Sequence, residues 1–295
     1  MVMITDKNGV ERFSLSTRLF KVVERIQEKI HKEDSMVLGI LWGGVGSGKS
    51  VKAQHIGYAI NKPKELDINK VAFDKDEFIE AVLDSRKEVV IGDEGIALFF
   101  SRGSMTKGGR LMAELMAQCR QKNLCMIICV PELLSIDYLI LESANFVGYV
   151  WESKKEINGK PVSIKGNLAL YPAIVGNDYK MKVVHYLRTK KRNPHAKIFR
   201  PNPYLTEPGN PIGKTFKEVW YPVGEKDYRI KKESILQKYR KKYIEKKDKR
   251  VTEIDYVMMD ALIEKGLKET EIAKRCQCCR KSIQRRKKTL KQVEK

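Results

Sequence analysis

Long apolar runs are missing from this sequence. No stretch approaches the roughly 18 apolar residues of a membrane span, so no transmembrane helix is expected. The opening residues, MVMITDKNG, lack the pattern of a secretory signal, and a cytoplasmic location is the expectation. The six cysteines fall in no paired metal-ligand spacing. Cys119, Cys125 and Cys129 sit in core-facing stretches, which suits a reducing compartment. Acidic residues are also scarce: 37 Asp and Glu stand against 58 Lys and Arg, a net charge of +21. An anionic partner is therefore expected, although charge says nothing about fold. What is present, 295 residues with 42% hydrophobic content, suffices for one large α/β core and a small satellite domain.

The densest chemistry lies in residues 36–50, MVLGILWGGVGSGKS, where an apolar run breaks into a glycine-rich turn. Gly43 to Ser50 fits G-x-x-x-x-G-K-[ST], the phosphate-binding loop. Glycines let consecutive backbone N–H groups curl around phosphate oxygens, and the helix that follows adds its positive end. Gly43, Gly44, Val45, Gly46, Ser47, Gly48, Lys49, Ser50 and Val51 are the expected nucleotide contacts. Lys49 is expected to reach the β- and γ-phosphates of ATP, and the Ser50 hydroxyl to hold Mg²⁺. A second buried strand, VVIGDE (89–94), ends in two acids. Asp93 is placed to complete the Mg²⁺ shell, and Glu94 to polarise a water against the γ-phosphate. The alternative is a glycine-rich strand–helix turn that binds nothing.

An Asn8-Gly9 turn marks a small N-terminal hairpin. Leu19, Val22, Val23, Ile26 and Ile30 recur at helical spacing between residues 14 and 32. A short strand over 70–73 leads into a helix opened by Asp74 and Glu77, a capping-box-like pair. Phe78, Ile79, Val82 and Leu83 form its expected buried face. The order strand, phosphate loop, helix, strand, helix, acidic strand argues for an α/β fold with a parallel sheet. A loop over 101–110 and a helix through Leu111, Met112, Leu115, Met116 and Cys119 come next. Core strands over 124–130 and 145–151 follow. After Asn158-Gly159 the pattern reads as a β-meander, with strands over 162–175 and 179–187. Five of the ten prolines then fall between Pro194 and Pro211, marking an irregular segment.

The expected domains are an ATPase domain over 1–225, a basic helical linker over 226–250 and a small all-α domain over 251–295. That last domain reads as three helices: 252–264, 269–276 and 280–290. IAKRCQCCRKSIQRR (272–286) resembles a helix-turn-helix, with Ile272, Cys278 and Ile283 as core and Ala273 at the helix crossing. Residues 229–295 carry 23 Lys and Arg against 10 Asp and Glu, a net +13. The second helix of such a motif normally enters the major groove of DNA. Arg280, Lys281, Gln284, Arg285 and Lys288 are therefore the expected nucleic-acid contacts. The competing reading is a three-helix adaptor that never touches DNA.

GGVGSGKS (43–50), VVIGDEGIALFFSR (89–102) and CRQKNLCMIICVP (119–131) together resemble the additional-strand, catalytic-glutamate branch of P-loop ATPases. Within that branch the likeness is to the FtsK–HerA superfamily, particularly the zonula-occludens-toxin type of viruses and mobile elements. The resemblance implies a pump or assembly motor, commonly hexameric, with an arginine reaching the neighbouring subunit's nucleotide. Arg120 and Arg102, with Arg110 behind them, are the positions here that suit that role. Two departures stand out. The polar residue expected after the fourth strand is replaced by Cys129-Val130-Pro131, and the toxins' membrane segment is missing. The function so implied is an ATP-dependent DNA motor that packages, translocates or remodels DNA. The alternative is an ATP-switched DNA-binding regulator or partition protein in which hydrolysis times release; a small-molecule or polynucleotide kinase is a third reading.

Overall fold

The computed structural model describes residues 1–93, 120–136, 138–157, 159–172, 177–197, 201–212, 220–250, 256–276 and 280–293. The chain divides into two compact units, Met1–Lys232 and Glu233–Lys295.

The first unit is built on an eight-stranded sheet. Its centre is β3 (Val37–Trp42), an almost unbroken apolar run, as expected for a strand covered on both faces. β3 pairs in parallel with β6 (Cys125–Val130) on one side and β7 (Phe146–Ile157) on the other. Beyond β6 lie β5 (Val89–Gly92) and β4 (Val71–Ala72), also parallel. One strand, β6, thus separates the loop-bearing β3 from the acidic β5. On the other flank β7 turns back into β8 (Lys160–Pro172), and this antiparallel pair extends the sheet. Two short strands, β9 (Leu205–Glu207) and β10 (Asn210–Ile212), pair with β8. β1 (Val2–Thr5) and β2 (Glu11–Leu15) form the separate N-terminal hairpin.

Helix α1 (Thr17–Lys32) starts at Ser16, whose hydroxyl accepts the Leu19 N–H, and it buries the five apolar residues that its spacing singles out. Gln27 donates to the carbonyls of Ala59 and Ile60 and so ties α1 to the end of α2 (Lys49–Asn61). α2 is buried from Lys52 to Asn61, which explains its lack of a polar face. α3 (Lys75–Leu83) is capped by Asp74, which accepts from the Glu77 N–H; Glu77 in turn accepts from the Phe73 N–H. Cys125 and Cys129 are buried, and Cys276 is half-buried. No helix among the described residues is long and apolar enough to cross a membrane.

Three expectations need correction. Residues 179–187 are not a strand but part of a helix, here α5 (Asn177–Arg192), which follows the short α4 (Tyr138–Ser143). Val183, Val184 and Leu187 lie on one face at helical spacing and meet the core under the sheet, and that periodicity overrides the β-branched character of the two valines. Leu83 is 50% exposed, because it is the last helical residue before Asp84 and turns off the core-facing side. The proline-rich segment is not wholly irregular: its edge strands β9 and β10 present little ladder to lose, which is where proline is tolerated. The loop over 101–110 and the helix over 111–119 lie outside the described residues.

α6 (Glu225–Arg250) carries the chain into the second unit. That unit also contains α7 (Tyr256–Glu264), α8 (Glu269–Arg275) and α9 (Arg280–Val293). Met259, Leu262, Ile272 and Ile283 form its core, with Ala273 packed beside them. Arg286 forks onto Asp260 at 2.9 and 2.7 Å, a bidentate pair that clamps α9 to α7. Cys278 lies outside the described residues.

Candidate functional site

The glycine loop leaves the carboxyl end of β3, where the sheet continues to opposite sides through β6 and β7. Ligands of open α/β sheets bind at such a crevice. Gly43 has a φ of +153°, and a Cβ there would come within 1.9 Å of the Val150 carbonyl oxygen. Gly48 caps α2 at a φ of +92°, and a Cβ on it would meet the Gly166 nitrogen at 2.9 Å. Both positions therefore require glycine. The Gly166 N–H donates to the Ser47 carbonyl at 2.8 Å, so β8 buttresses the loop from outside the local strand–loop–helix unit. Val45 stands exposed at the crown, Gly44 and Gly46 beside it are exposed too, and Val51 is half-buried in the first turn of α2.

Lys49 lies over the loop, its ammonium donating to the Gly43 and Gly44 carbonyls at 2.9 and 2.8 Å. The Ser50 hydroxyl donates to Asp93 Oδ1 at 2.8 Å. Asp93 is 1% exposed at the end of β5, and its own N–H is held by the Ala72 carbonyl. Behind it sits Cys129, whose thiol is pushed well above its ordinary pKa by burial and by the Asp93 charge. At the position of the missing polar residue there is thus a neutral, inert thiol.

The spacing of the loop and the acidic strand therefore brings Lys49, Ser50 and Asp93 together. Glu94 and Arg102 lie outside the described residues, as does the side chain of Arg120. The turn Arg120–Lys122 precedes β6, and the Lys122 carbonyl accepts the Lys87 N–H just ahead of β5. That is the amino-terminal edge of the parallel strands, opposite the edge with the phosphate loop. On its own chain Arg120 is thus far from the loop. In the second unit Arg280, Lys281, Gln284 and Arg285 are exposed on α9 while Ile283 between them is buried. Gln284 also bonds to Glu269. The Lys288 side chain is outside the described residues.

Sequence reasoning missed several neighbours of the site. Tyr228, near the start of α6, donates its hydroxyl to Asp93 Oδ2. Burial and the adjacent carboxylate raise the Tyr228 phenol far above its ordinary pKa, so it stays protonated. Lys165 of β8 places its ammonium 4.0 Å from where a Gly46 Cβ would lie, at the crown of the loop. Lys52 is buried one turn into α2, and burial lowers its pKa to about 8 while Glu207 opposes the shift. Glu207 accepts from the Ser16 N–H. No local pattern announces any of these. Each joins segments far apart in the chain, 135 residues for Tyr228 and Asp93.

His55, also in α2, stacks on Phe13 at 4.3 Å and donates to the Trp220 carbonyl at 2.8 Å. Burial, with Lys52 adding to it, lowers its pKa from 6.5 to about 4. A folded pKa below the unfolded one means that the unfolded chain takes up the proton first. Stability is therefore full above pH 6.5 and falls as pH drops towards 4, by about 3 kcal/mol in all. Urea unfolding at pH 7 and pH 4.5 checks this: His55→Gln should lack that share of the acid-side decline.

An α/β fold of the P-loop NTPase-like kind follows from the parallel strand order and from the loop between β3 and α2. No protein-family model matches the sequence, and no curated protein does. Among solved structures, the chain is similar to the N-terminal domain of zonular occludens toxin from Neisseria meningitidis, at 12% identity over 47% of this chain and 84% of that one, with a TM-score of 0.33. It is also similar to the genome packaging NTPase B204 from Sulfolobus turreted icosahedral virus 2 in complex with AMPPCP, at 14% identity over 47% and 93%, with a TM-score of 0.34. The flagellar accessory protein FlaH from Methanocaldococcus jannaschii gives 17% identity over 50% and 91%, with a TM-score of 0.28. These are distant likenesses, and the class rests on the loop and the sheet order.

Proposed function

We propose that this chain binds ATP with Mg²⁺ at the glycine loop and hydrolyses it to move DNA, as a motor of a virus or mobile element. The observation that carries the reading is the 2.8 Å pair between Ser50 on the loop helix and the buried Asp93 on a separate strand. Strand β6 between β3 and β5 supports the additional-strand assignment.

The donor set fits magnesium. Mg²⁺ is a hard ion usually held by one or two carboxylates together with phosphate oxygens, not by an all-protein cage. Here a hydroxyl and a carboxylate face the loop, and no cluster of three or more His, Cys, Asp or Glu suited to a metal occurs among the described residues. When bound, the ion neutralises charge on the phosphates. The chain supplies the rest. Backbone N–H groups from Gly43 to Val51 cradle the phosphates and Lys49 draws charge from the γ-phosphate. Glu94 takes the proton of the attacking water. An arginine from a neighbouring subunit, Arg120 or Arg102, stabilises the transferred charge, which implies a homo-oligomer, a hexameric ring in the closest form of the analogy. The Arg120 turn lies at the amino-terminal edge of the strands, away from its own chain's loop, which supports a role toward a neighbour over one in its own site.

The second unit supplies the grip on DNA. α8 and α9 act as a helix-turn-helix whose exposed face carries Arg280, Lys281, Gln284 and Arg285, with Lys288 the further contact expected from the sequence. Phosphate contacts of this kind make affinity fall steeply with salt. In the full chain, the pair Arg280→Glu and Arg285→Glu should weaken duplex binding at least about tenfold and flatten the salt dependence by about two in log–log slope. Fluorescence anisotropy over a salt series measures both. Unchanged affinity and slope would move the DNA contact off α9 and leave the three helices as an adaptor.

A further inference from the structure

The Asp93 carboxylate is held on both oxygens, by one donor from the phosphate-loop motif and by another from outside it. Ser50 donates to Oδ1; the second donor, Tyr228, reaches Oδ2 from α6. A carboxylate at a strand end has a broad, two-fold torsion about its last bond. Donors on opposite oxygens restrict that torsion to one plane. Hydroxyl donation to a carboxylate is also among the stronger hydrogen bonds a protein makes.

The donor is itself firmly placed. The Tyr228 ring is 7% exposed, with Phe73 at 5.3 Å and Tyr221 at 5.6 Å. Phe73 lies just past β4, the strand paired with β5, so the ring and the carboxylate share one end of the sheet. One turn further along α6, Lys231 donates to the carbonyls of Ile68 and Val71 at 3.1 and 2.7 Å and lies 3.9 Å from Glu77. The start of α6 is thereby tied to β4, the edge strand beside the β5 that leads into Asp93. Removing the Tyr228 hydroxyl takes away the donor that α6 sends to Oδ2.

We infer that Tyr228 is a positioning residue for the metal site: it holds the Asp93 carboxylate in the plane that presents Oδ1, with Ser50, to a divalent cation accompanying the nucleotide. The inference rests on the Mg²⁺ reading of Ser50 and Asp93 proposed above. Groups that orient a metal ligand from behind typically contribute 10- to 100-fold to metal affinity. Tyr228→Phe removes only the hydroxyl and keeps the ring packing.

The test uses the full chain, AMPPNP as nucleotide and Mn²⁺ as the probe, followed by electron paramagnetic resonance. At saturating AMPPNP, Tyr228→Phe should weaken Mn²⁺ binding about 10-fold. AMPPNP affinity in EDTA should be unchanged, because the hydroxyl acts only through the metal ligand. Lys231→Met, which loosens the helix start without touching Asp93, should shift Mn²⁺ affinity in the same direction by less. Equal or tighter Mn²⁺ binding in Tyr228→Phe overturns the inference, as does an equal loss of AMPPNP affinity in EDTA. Asp93→Asn separates the two failures. If that variant binds Mn²⁺·AMPPNP like the parent, the metal assignment itself is wrong; if it weakens binding while Tyr228→Phe does not, only the positioning role falls.

Discussion

Lys49→Ala should cost the chain up to about 100-fold in ATP affinity. Its ammonium is the cation that lies inside the loop, within 2.9 Å of the Gly43 and Gly44 carbonyls. A charge-assisted contact to phosphate contributes up to about 3 kcal/mol, which is roughly 100-fold in affinity. Lys165 at the crown leaves some positive potential behind, yet it approaches the loop from β8 and not from the start of α2, where the phosphates are proposed to bind. The fold should survive, because the loop's shape is set by Gly43 and Gly48 and by the Gly166 bond to Ser47. Calorimetric titration with ATP beside a thermal melt distinguishes the two effects. Unaltered affinity would place the nucleotide somewhere other than this loop.

Glu94→Gln should separate binding from turnover. The amide keeps the size of the side chain but cannot accept a proton, so under the proposed assignment the attacking water would lose its base. General-base catalysis contributes about 10² to 10⁴ in rate, and the turnover number should fall by that much while ATP still binds. Asp93, Ser50 and the loop are untouched by the change, so the affinity of the Mg·ATP complex should stay within a few-fold of the parent. Phosphate release at saturating ATP, beside an equilibrium binding measurement, reads both. Hydrolysis at the parent rate would remove Glu94 from the catalytic role.

The parts of the fold legible in the sequence are those in which local pattern and tertiary burial agree. β3 and β6 read as core strands because both of their faces are covered, so no polar alternation interrupts them. α1 discloses its buried stripe for the opposite reason: one face meets α2 and the other meets water. Asp74 and Glu77 announce α3 because a cap is a local device. The failures come where two patterns coexist. Tyr179, Val183, Val184 and Tyr186 suit a strand by composition and a helix by spacing, and contact of the two valines with the core decided for the helix. Prolines hid β9 and β10 because their pairing depends on β8, more than thirty residues earlier.

The site divides along the same line. The loop, its lysine and the acidic strand form a motif, so Lys49, Ser50 and Asp93 could be named from spacing. Tyr228, Lys165 and Gly166 could not. They belong to α6 and to β8, elements whose relation to the loop exists only once the sheet has closed. Gly166 is instructive: nothing around it suggests a phosphate site, yet its N–H holds the Ser47 carbonyl and its position forces glycine at Gly48.

Phosphate release by the purified full chain, with Mg²⁺ and ATP, in the presence and absence of duplex DNA, tests the central claim most directly. Mg²⁺-dependent turnover should rise when DNA is added and disappear in Lys49→Ala. Turnover that persists in Lys49→Ala, or a parent chain that neither binds nor hydrolyses ATP with Mg²⁺ and DNA present, would contradict it.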